Sequence, residues 1–289
     1  MMATIAKLTQ GSPEWHAHRK HHRNASESPA VLGVSEWLTP YQLWLEKTGR
    51  AQRRVSVPMT HGTQLEPRAR EAYERLTGML MEPVVLVDGE YSASFDGITL
   101  DGDLVLEIKC PYQGQGSALW QAVEAGEVPP ACHWQLQHQL MVAKADLAHL
   151  YVFDGKEGLL LEVKPAPADW PRIHEGWESF MRFIREDRAP PLTAHDAKIR
   201  DDPEWQTAAH EFIAWKSTVD EATERLEAAK RRLISLTSHT SEQGAGVSVS
   251  RYWKSGAIDY KRVAQLLSVD LEQYRAPSRE ETRVTVLKP

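Results

Sequence analysis

The chain has 289 residues, of which 42% are hydrophobic and 26% are charged, and this excludes a collagenous or wholly disordered protein. Only two cysteines occur, so a disulfide framework and a four-cysteine metal site are excluded. The net charge of −6 provides no overall basic field for nucleic acid. It does not exclude a metal-dependent nuclease, which concentrates carboxylates at its site and confines basic residues to a groove.

The length allows one large domain or two smaller ones. No apolar run approaches the roughly 20 residues that a membrane helix needs, and the first residues lack an apolar signal core. We therefore expect no membrane partner and a reducing, cytoplasmic location.

The first half of the chain predicts helices followed by a sheet. Residues 1–55 are polar and typical of helices, and 61–78 predict a helix with Pro67 near its first turn. An apolar stripe of Ala69, Tyr73 and Leu76 would face its core. Residues 82–97 predict a hairpin that turns at Asp88-Gly89, and 103–111 predict a third strand with one apolar and one charged face.

The second half predicts more helices and strands. Helices are expected at 117–126, 129–145 and 170–187, with a strand pair at 146–165 and a boundary at 189–191. Residues 203–236 predict a long amphipathic helix whose apolar residues recur at steps of three and four: Phe212, Trp215, Val219, Ala222, Leu226, Ala229 and Leu233. A turn and strand at 241–256, a short helix at 258–267 and a strand at 283–289 follow.

These elements predict an α/β protein in which helices flank a mixed central sheet and a mainly helical extension follows. We expect domains at 1–195 and 196–289, the second serving assembly, a partner or DNA. Arg251, Tyr252, Trp253 and Lys254 form a basic and aromatic segment that could contact DNA or pack as a strand.

Four side chains in chain order indicate a metal site: Glu66, Asp96, Glu107 and Lys109. Glu107 and Lys109 are two residues apart on a strand and share a face, and a hairpin can bring Asp96 beside Glu107. Adjacent carboxylates repel each other unless a cation lies between them, and oxygen ligands favour Mg²⁺ or Mn²⁺. With a lysine alongside, such a site suits phosphodiester hydrolysis. The alternative interpretation is a solvated charged face, because such short patterns are common.

Several ordered motifs resemble one known family. HGTQLEPRAREAY, FDG, LEIKCP and HWQLQHQLMV lie in the order found in YqaJ-like viral recombinases, the lambda-type exonucleases of the PD-(D/E)xK superfamily. The resemblance covers roughly residues 8–190 and implies a restriction-endonuclease-like core. It further implies a Mg²⁺-dependent exonuclease that degrades duplex DNA from 5′ ends. The 3′ single strands left behind would pass to an annealing protein. A trimeric ring and a phage or prophage origin in a bacterial host are implied as well.

The resemblance also implies roles for the four residues. Asp96 and Glu107 would bind the metal together with the main-chain carbonyl of Ile108, and Lys109 would align the attacking water. Glu66 matches the glutamate of the G-x-x-x-E motif that begins at Gly62.

Two glutamines match the family's Q-x-Q motif. On a helix Gln135 and Gln137 point about 200° apart, so both cannot face the metal. We favour Gln135 as the catalytic-site residue and Gln137 for packing or a main-chain bond.

The N-terminal segment GSPEWHAHR…NAS resembles the family's W-x-x-x-R…AS segment. By that match Arg19 and Ser26 would bind a 5′-terminal phosphate, with Ser94 nearby, and Met59 would splay the duplex end. The alternatives are a surface arginine and a core or loop methionine.

Other interpretations remain at this stage. His18 and His22 lie at i and i+4, but no third zinc ligand stands out, so solvated or DNA-facing histidines are favoured. Cys110 and Cys132 are interpreted as buried thiols. The alternative functions are a restriction-like or structure-specific endonuclease on the same core, and a catalytically inactive DNA-binding or recombination partner module.

Overall fold

A computed structural model describes residues 3–52 and 55–251. The chain divides into two compact units, Met1–Lys198 and Ile199–Pro289. No helix among the described residues is both long and apolar enough to cross a membrane.

The N-terminal region combines short strands with helices. Its elements are β1 (Thr4–Ala6), α1 (Pro13–His21), β2 (Arg23–Asn24), α2 (Ser28–Val31) and α3 (Pro40–Lys47). Ser12 caps α1 by accepting a hydrogen bond from the Trp15 amide, and Thr39 and Gln42 form a capping box on α3. The prediction of an all-helical segment was wrong at β1 and β2, because both pair with strands distant in the chain.

Helix α4 (Val57–Thr77) is longer than the predicted 61–78 segment. The Ser56 side chain caps it, and Gly78 ends it in the left-handed conformation at φ 73°. Pro67 therefore lies in the helix interior rather than in the first turn. Leu76 is 62% exposed, so the predicted stripe was wrong at that position.

The central sheet has the strand order β1-β3-β4-β5-β6-β7, and β2 pairs with β4. The five longer strands are β3 (Glu82–Asp88), β4 (Tyr91–Ile98), β5 (Leu104–Lys109), β6 (Leu147–Phe153) and β7 (Gly158–Val163). The β5–β6 and β2–β4 pairs are parallel, and the other pairs are antiparallel. The sheet is mixed, so the α/β class with flanking helices is confirmed.

Helices cover both faces of the sheet. Helix α4 lies on one face, and α5 (Ala118–Glu124) and α6 (Pro130–Ala143) lie on the other, whereas α7 (Trp170–Arg185) packs on α2, α3 and α6. Leu106 and Ile108 pack with the α4 residues Leu65 and Tyr73, whereas Val105 packs in a cluster with α5 and α6 side chains. The prediction that one face of β5 is apolar and the other carries the Glu107–Lys109 pair is confirmed, and Val105 is buried on the face that carries the pair.

The second unit contains α8 (Pro203–Leu236) and a hairpin of β8 (Ser241–Gly244) and β9 (Val247–Ser250). The long helix predicted from the periodicity is confirmed. Tyr252, Trp253 and Lys254, the predicted helix at 258–267 and the predicted strand at 283–289 lie outside the described residues.

Candidate active site

Two predicted metal ligands lie on neighbouring strands. The β4–β5 register pairs Gly97, which follows Asp96, with Leu106, which precedes Glu107. The Asp96 Oδ2 atom accepts a hydrogen bond of 2.7 Å from the Ile108 amide. The hairpin therefore places both carboxylates at the same end of β5. The Asp96 carboxylate is fixed there by its hydrogen bond to the main chain of β5.

Lys109 lies over Glu107 on the same face of β5. Its Nζ is 2.6 Å from Glu107 Oε1 and 3.1 Å from Gln135 Oε1. The Lys109 side chain is 31% exposed, whereas the Glu107 side chain is 6% exposed. The pair thus joins a buried carboxylate to a partly exposed lysine.

Helix α6 contributes a residue that the sequence interpretation missed. Gln139 Nε2 donates to Glu107 Oε2 at 2.7 Å and to the Ser94 carbonyl at 3.2 Å. Gln139 lies four residues after Gln135 and therefore shares its helical face. That spacing was the available signal.

Gln137 points away from this face. Its amide donates to the Lys164 carbonyl at 2.9 Å and accepts from the Ala166 amide at 2.7 Å. It holds the chain between β7 and α7 and does not contact Glu107.

Glu66 reaches the site from α4 and is paired with Arg70, whose Nη2 is 2.8 Å from Glu66 Oε1. Arg70 Nε also donates to the Asp96 carbonyl at 2.6 Å. Arg70 thus links helix α4 to the strand that carries Asp96, and it too was absent from the sequence prediction.

The electrostatics of the site follow from burial and crowded negative charge. Burial, followed by the charges of Glu107 and Glu66, raises the pKa of Asp96 well above its usual value. Burial also raises the pKa of Glu66, although Arg70 opposes the shift. Burial alone would lower the pKa of Lys109, but the adjacent Glu107 carboxylate outweighs it and raises that pKa. The site therefore concentrates acidic groups that a cation would stabilise.

The donor chemistry fits a hard divalent cation, since carboxylate and carbonyl oxygens are the groups that Mg²⁺ and Mn²⁺ prefer. Among the described residues, no three or more His, Cys, Asp or Glu side chains form a metal-binding group. The predicted metal ligands do not include three such side chains, because two carboxylates, Asp96 and Glu107, are combined with the main-chain carbonyl of Ile108.

The N-terminal residues form a second cluster beside the first. Trp15 Nε1 donates to Ser94 Oγ at 2.9 Å, and the Arg19 guanidinium lies 4.6 Å from the centroid of the Trp15 ring. Arg19 Nη2 also pairs with Glu27 Oε1 at 2.9 Å. Ser94 connects this cluster to the site through Gln139.

The remaining predicted DNA-contact residues lie apart from these contacts. Ser26 is exposed, and Met59 is 42% exposed in the first turn of α4. Trp15 and Glu27 contact Arg19 but were not predicted as site residues.

The histidine and cysteine residues contain no metal cluster in the part of the chain that the structure describes. His18 and His22 stack with ring centroids 3.8 Å apart, and His18 Nε2 is 2.9 Å from Ser92 Oγ. Cys132 is buried and Cys110 is half-buried, and burial raises the pKa of the Cys110 thiol to about 12.

Comparison with known proteins gives a family match and similar folds. Residues 14–146 match the family described as YqaJ-like viral recombinase domain. The chain is 27% identical over 155 residues to the uncharacterized protein YqaJ of Bacillus subtilis (strain 168). That match covers 51% of this chain and only 47% of the relative, so the chain spans about half of that protein's length.

Two solved structures share the fold. The crystal structure of LHK-Exo in complex with dAMP aligns with a TM-score of 0.53 at 21% identity, over 61% of this chain and 94% of that one. The structure of an alkaline exonuclease (LHK-Exo) from Laribacter hongkongensis aligns over the same shares, also at 21% identity, with a TM-score of 0.52. This likeness confirms the restriction-endonuclease-like core. The chain is therefore similar over residues 14–146 to the YqaJ-like viral recombinase domain and shares its fold with these two structures.

Proposed function

We propose that this chain is a divalent-metal-dependent deoxyribonuclease that digests duplex DNA from 5′ ends and leaves 3′ single strands. The observation that supports this most is the juxtaposition of Asp96, Glu107 and Lys109 within a YqaJ-like domain. The domain at 1–195 would perform the reaction, and residues 196–289 would form an extension.

The metal would be held by the Asp96 and Glu107 carboxylates and the Ile108 carbonyl, with Mg²⁺ as the ion and Mn²⁺ as a substitute. A bound ion of this kind activates water and offsets charge on the phosphate. Gln139 would keep the Glu107 carboxylate oriented, because its amide donates to Oε2 at 2.7 Å.

Lys109 would orient the attacking water and stabilise the negative charge that develops on the phosphate. Two acceptors hold its amine in place, Glu107 Oε1 at 2.6 Å and Gln135 Oε1 at 3.1 Å. Glu66, on the facing helix α4, would bind water at the same site.

By the family resemblance, Arg19, Ser26 and Ser94 would recognise a 5′-terminal phosphate and Met59 would splay the duplex end, and the contacts described above support only the Arg19–Ser94 part of this proposal. Arg19 bonds Glu27 through Nη2, but a guanidinium has five donors and can serve a second anion. Because Trp15 joins Arg19 to Ser94, a phosphate there would lie close to the strand that carries Asp96.

The same family resemblance supports the wider parts of the proposal. A trimeric ring would keep the enzyme on its DNA, and a single-strand annealing protein would receive the product. The reaction would take place in the cytoplasm of a bacterial host that carries the phage or prophage.

A comparison of linear and covalently closed circular duplex DNA with Mg²⁺ tests the reaction. We expect digestion of the linear form and an intact circle. Cutting of the circle would replace the exonuclease by an endonuclease on the same core, and no hydrolysis of either form would indicate an inactive DNA-binding module. Asp96→Ala and Lys109→Ala should abolish hydrolysis while DNA binding persists, and turnover retained by both would refute the site.

A further inference from the structure

Helix α8 exposes an unusual amount of apolar surface. None of its 34 residues is buried. The exposed side chains include Trp205 (50%), Trp215 (61%), Val219 (56%) and Leu226 (66%). Apolar residues in such number on one helix normally face a partner.

The spacing of these residues identifies the kind of partner. From Trp205 to Leu236, apolar residues alternate at steps of three and four without a break: Trp205, Ala208, Phe212, Trp215, Val219, Ala222, Leu226, Ala229, Leu233 and Leu236. A seven-residue repeat held over this length keeps one apolar seam in line only when the helix supercoils around another helix. The partner of α8 is therefore a helix of similar length.

The sizes of the seam residues favour a second copy of α8 in the antiparallel direction. In the register where facing residue numbers add to 434, large residues meet smaller ones: Trp205 with Ala229, Leu226 with Ala208, Phe212 with Ala222, and Trp215 with Val219. In a parallel in-register pair each residue would meet itself. Two layers would then hold paired tryptophans and three would hold paired alanines, and layers of such unequal size pack poorly.

The charges beside the seam favour the same register. In each seven-residue repeat, one residue lies directly before the first of the two seam residues. These flanking residues are acidic near the start of α8 and basic near its end: Glu204, Glu211, Thr218, Arg225 and Arg232. In the antiparallel pair Glu204 faces Arg232, Glu211 faces Arg225, and Thr218 lies at the twofold axis. A parallel pair would place Glu211 against Lys216 but Arg225 against Lys230, so its attractive and repulsive contacts would be equal in number.

One contact opposes the antiparallel register. Lys216 meets its own copy on the other flank of the seam, but it is paired with Asp220 inside its own helix. The twofold axis repeats the Glu204–Arg232 and Glu211–Arg225 contacts, so four opposite-charge contacts oppose this single like-charge contact.

We propose that α8 forms an antiparallel two-stranded coiled coil with α8 of a second copy of this chain, over about 45 Å. The contact is pairwise and requires neither a ring nor DNA. It also stands independently of the proposed nuclease activity.

The test is a charge exchange in the full chain, with mass followed against protein concentration by analytical ultracentrifugation at low salt. Glu211→Arg alone and Arg225→Glu alone each place like charges at both contacts of the antiparallel pair. We expect each to weaken the association on the order of tenfold. The double variant, and an equimolar mixture of the two single variants, should regain wild-type association. Glu224→Arg is the matched control, because residue 224 faces away from the seam and its replacement should change nothing.

Other results would overturn the proposal. A parallel pair predicts that Arg225→Glu strengthens the association. It also predicts that mixing the two single variants does not restore the association that Glu211→Arg loses. A wild-type mass unaffected by every variant would place assembly on another surface. A monomer at tens of micromolar would mean that a different helix covers the seam.

Discussion

Replacing Gln139 by Met tests whether the α6 amide supports the Glu107 carboxylate. The substitution removes the donor at 2.7 Å from Glu107 Oε2 and the one at 3.2 Å from the Ser94 carbonyl. Loss of a charged hydrogen bond costs about 1.5–3 kcal/mol and of a neutral one about 1 kcal/mol. The buried Gln139 Oε1 atom has no hydrogen-bond partner among the described residues, so its removal returns roughly 1 kcal/mol. The net loss of unfolding free energy should be about 2 kcal/mol.

Urea unfolding of the full chain measures this loss, and Gln121→Met on the exposed surface of α5 is the matched control, expected within about 0.5 kcal/mol of wild type. Digestion of linear duplex DNA over a Mg²⁺ titration measures the effect on function. A residue that orients a metal ligand typically contributes about 10- to 100-fold to metal affinity or activity. Wild-type stability together with wild-type Mg²⁺ dependence would refute the assignment of Gln139 to the site.

Three further changes have definite outcomes. Gly97→Ala should destabilise the fold by about 1–3 kcal/mol in urea unfolding, because a Cβ there would lie 2.6 Å from Met81 Cβ, whereas Gly62→Ala has open space and should not destabilise. Burial lowers the pKa of His138 to about 3, so the neutral ring stabilises the fold above the unfolded pKa near 6.5. That stability should decline as the pH falls from 6.5 towards 3, by roughly 1.4 kcal/mol per pH unit, and His138→Gln should flatten this part of the profile; an equal slope in both proteins would contradict it. Arg19→Ala should reduce the preference for 5′-phosphorylated over 5′-hydroxyl ends in digestion assays, and an unchanged preference would remove Arg19 from that role.

The local parts of the site could be predicted because they depend on short-range periodicity. Residues two apart on a strand share a face, so Glu107 and Lys109 were expected together and lie 2.6 Å apart. The Asp88-Gly89 turn predicted the hairpin that carries Asp96. Its turn chemistry is a property of neighbouring residues.

Other parts of the site depend on packing between distant elements. Gln139 became a partner of Glu107 only when α6 packed against the sheet, and Glu27 became a partner of Arg19 only when the turn after β2 folded back on α1. Val105 is buried on the face that carries Glu107 because helices cover both faces of β5. Spacing along one element cannot indicate which other element covers it.

By itself, then, the sequence determined the α/β class, the order of most strands and helices, the carboxylate–lysine pattern and the seven-residue repeat of α8, because each is written in residues close along the chain. Tertiary structure alone decided how far α4 extends, which strands pair beyond the hairpin, and which glutamine contacts Glu107. These features depend on contacts between segments far apart in sequence, where burial and hydrogen bonding outweigh local preference.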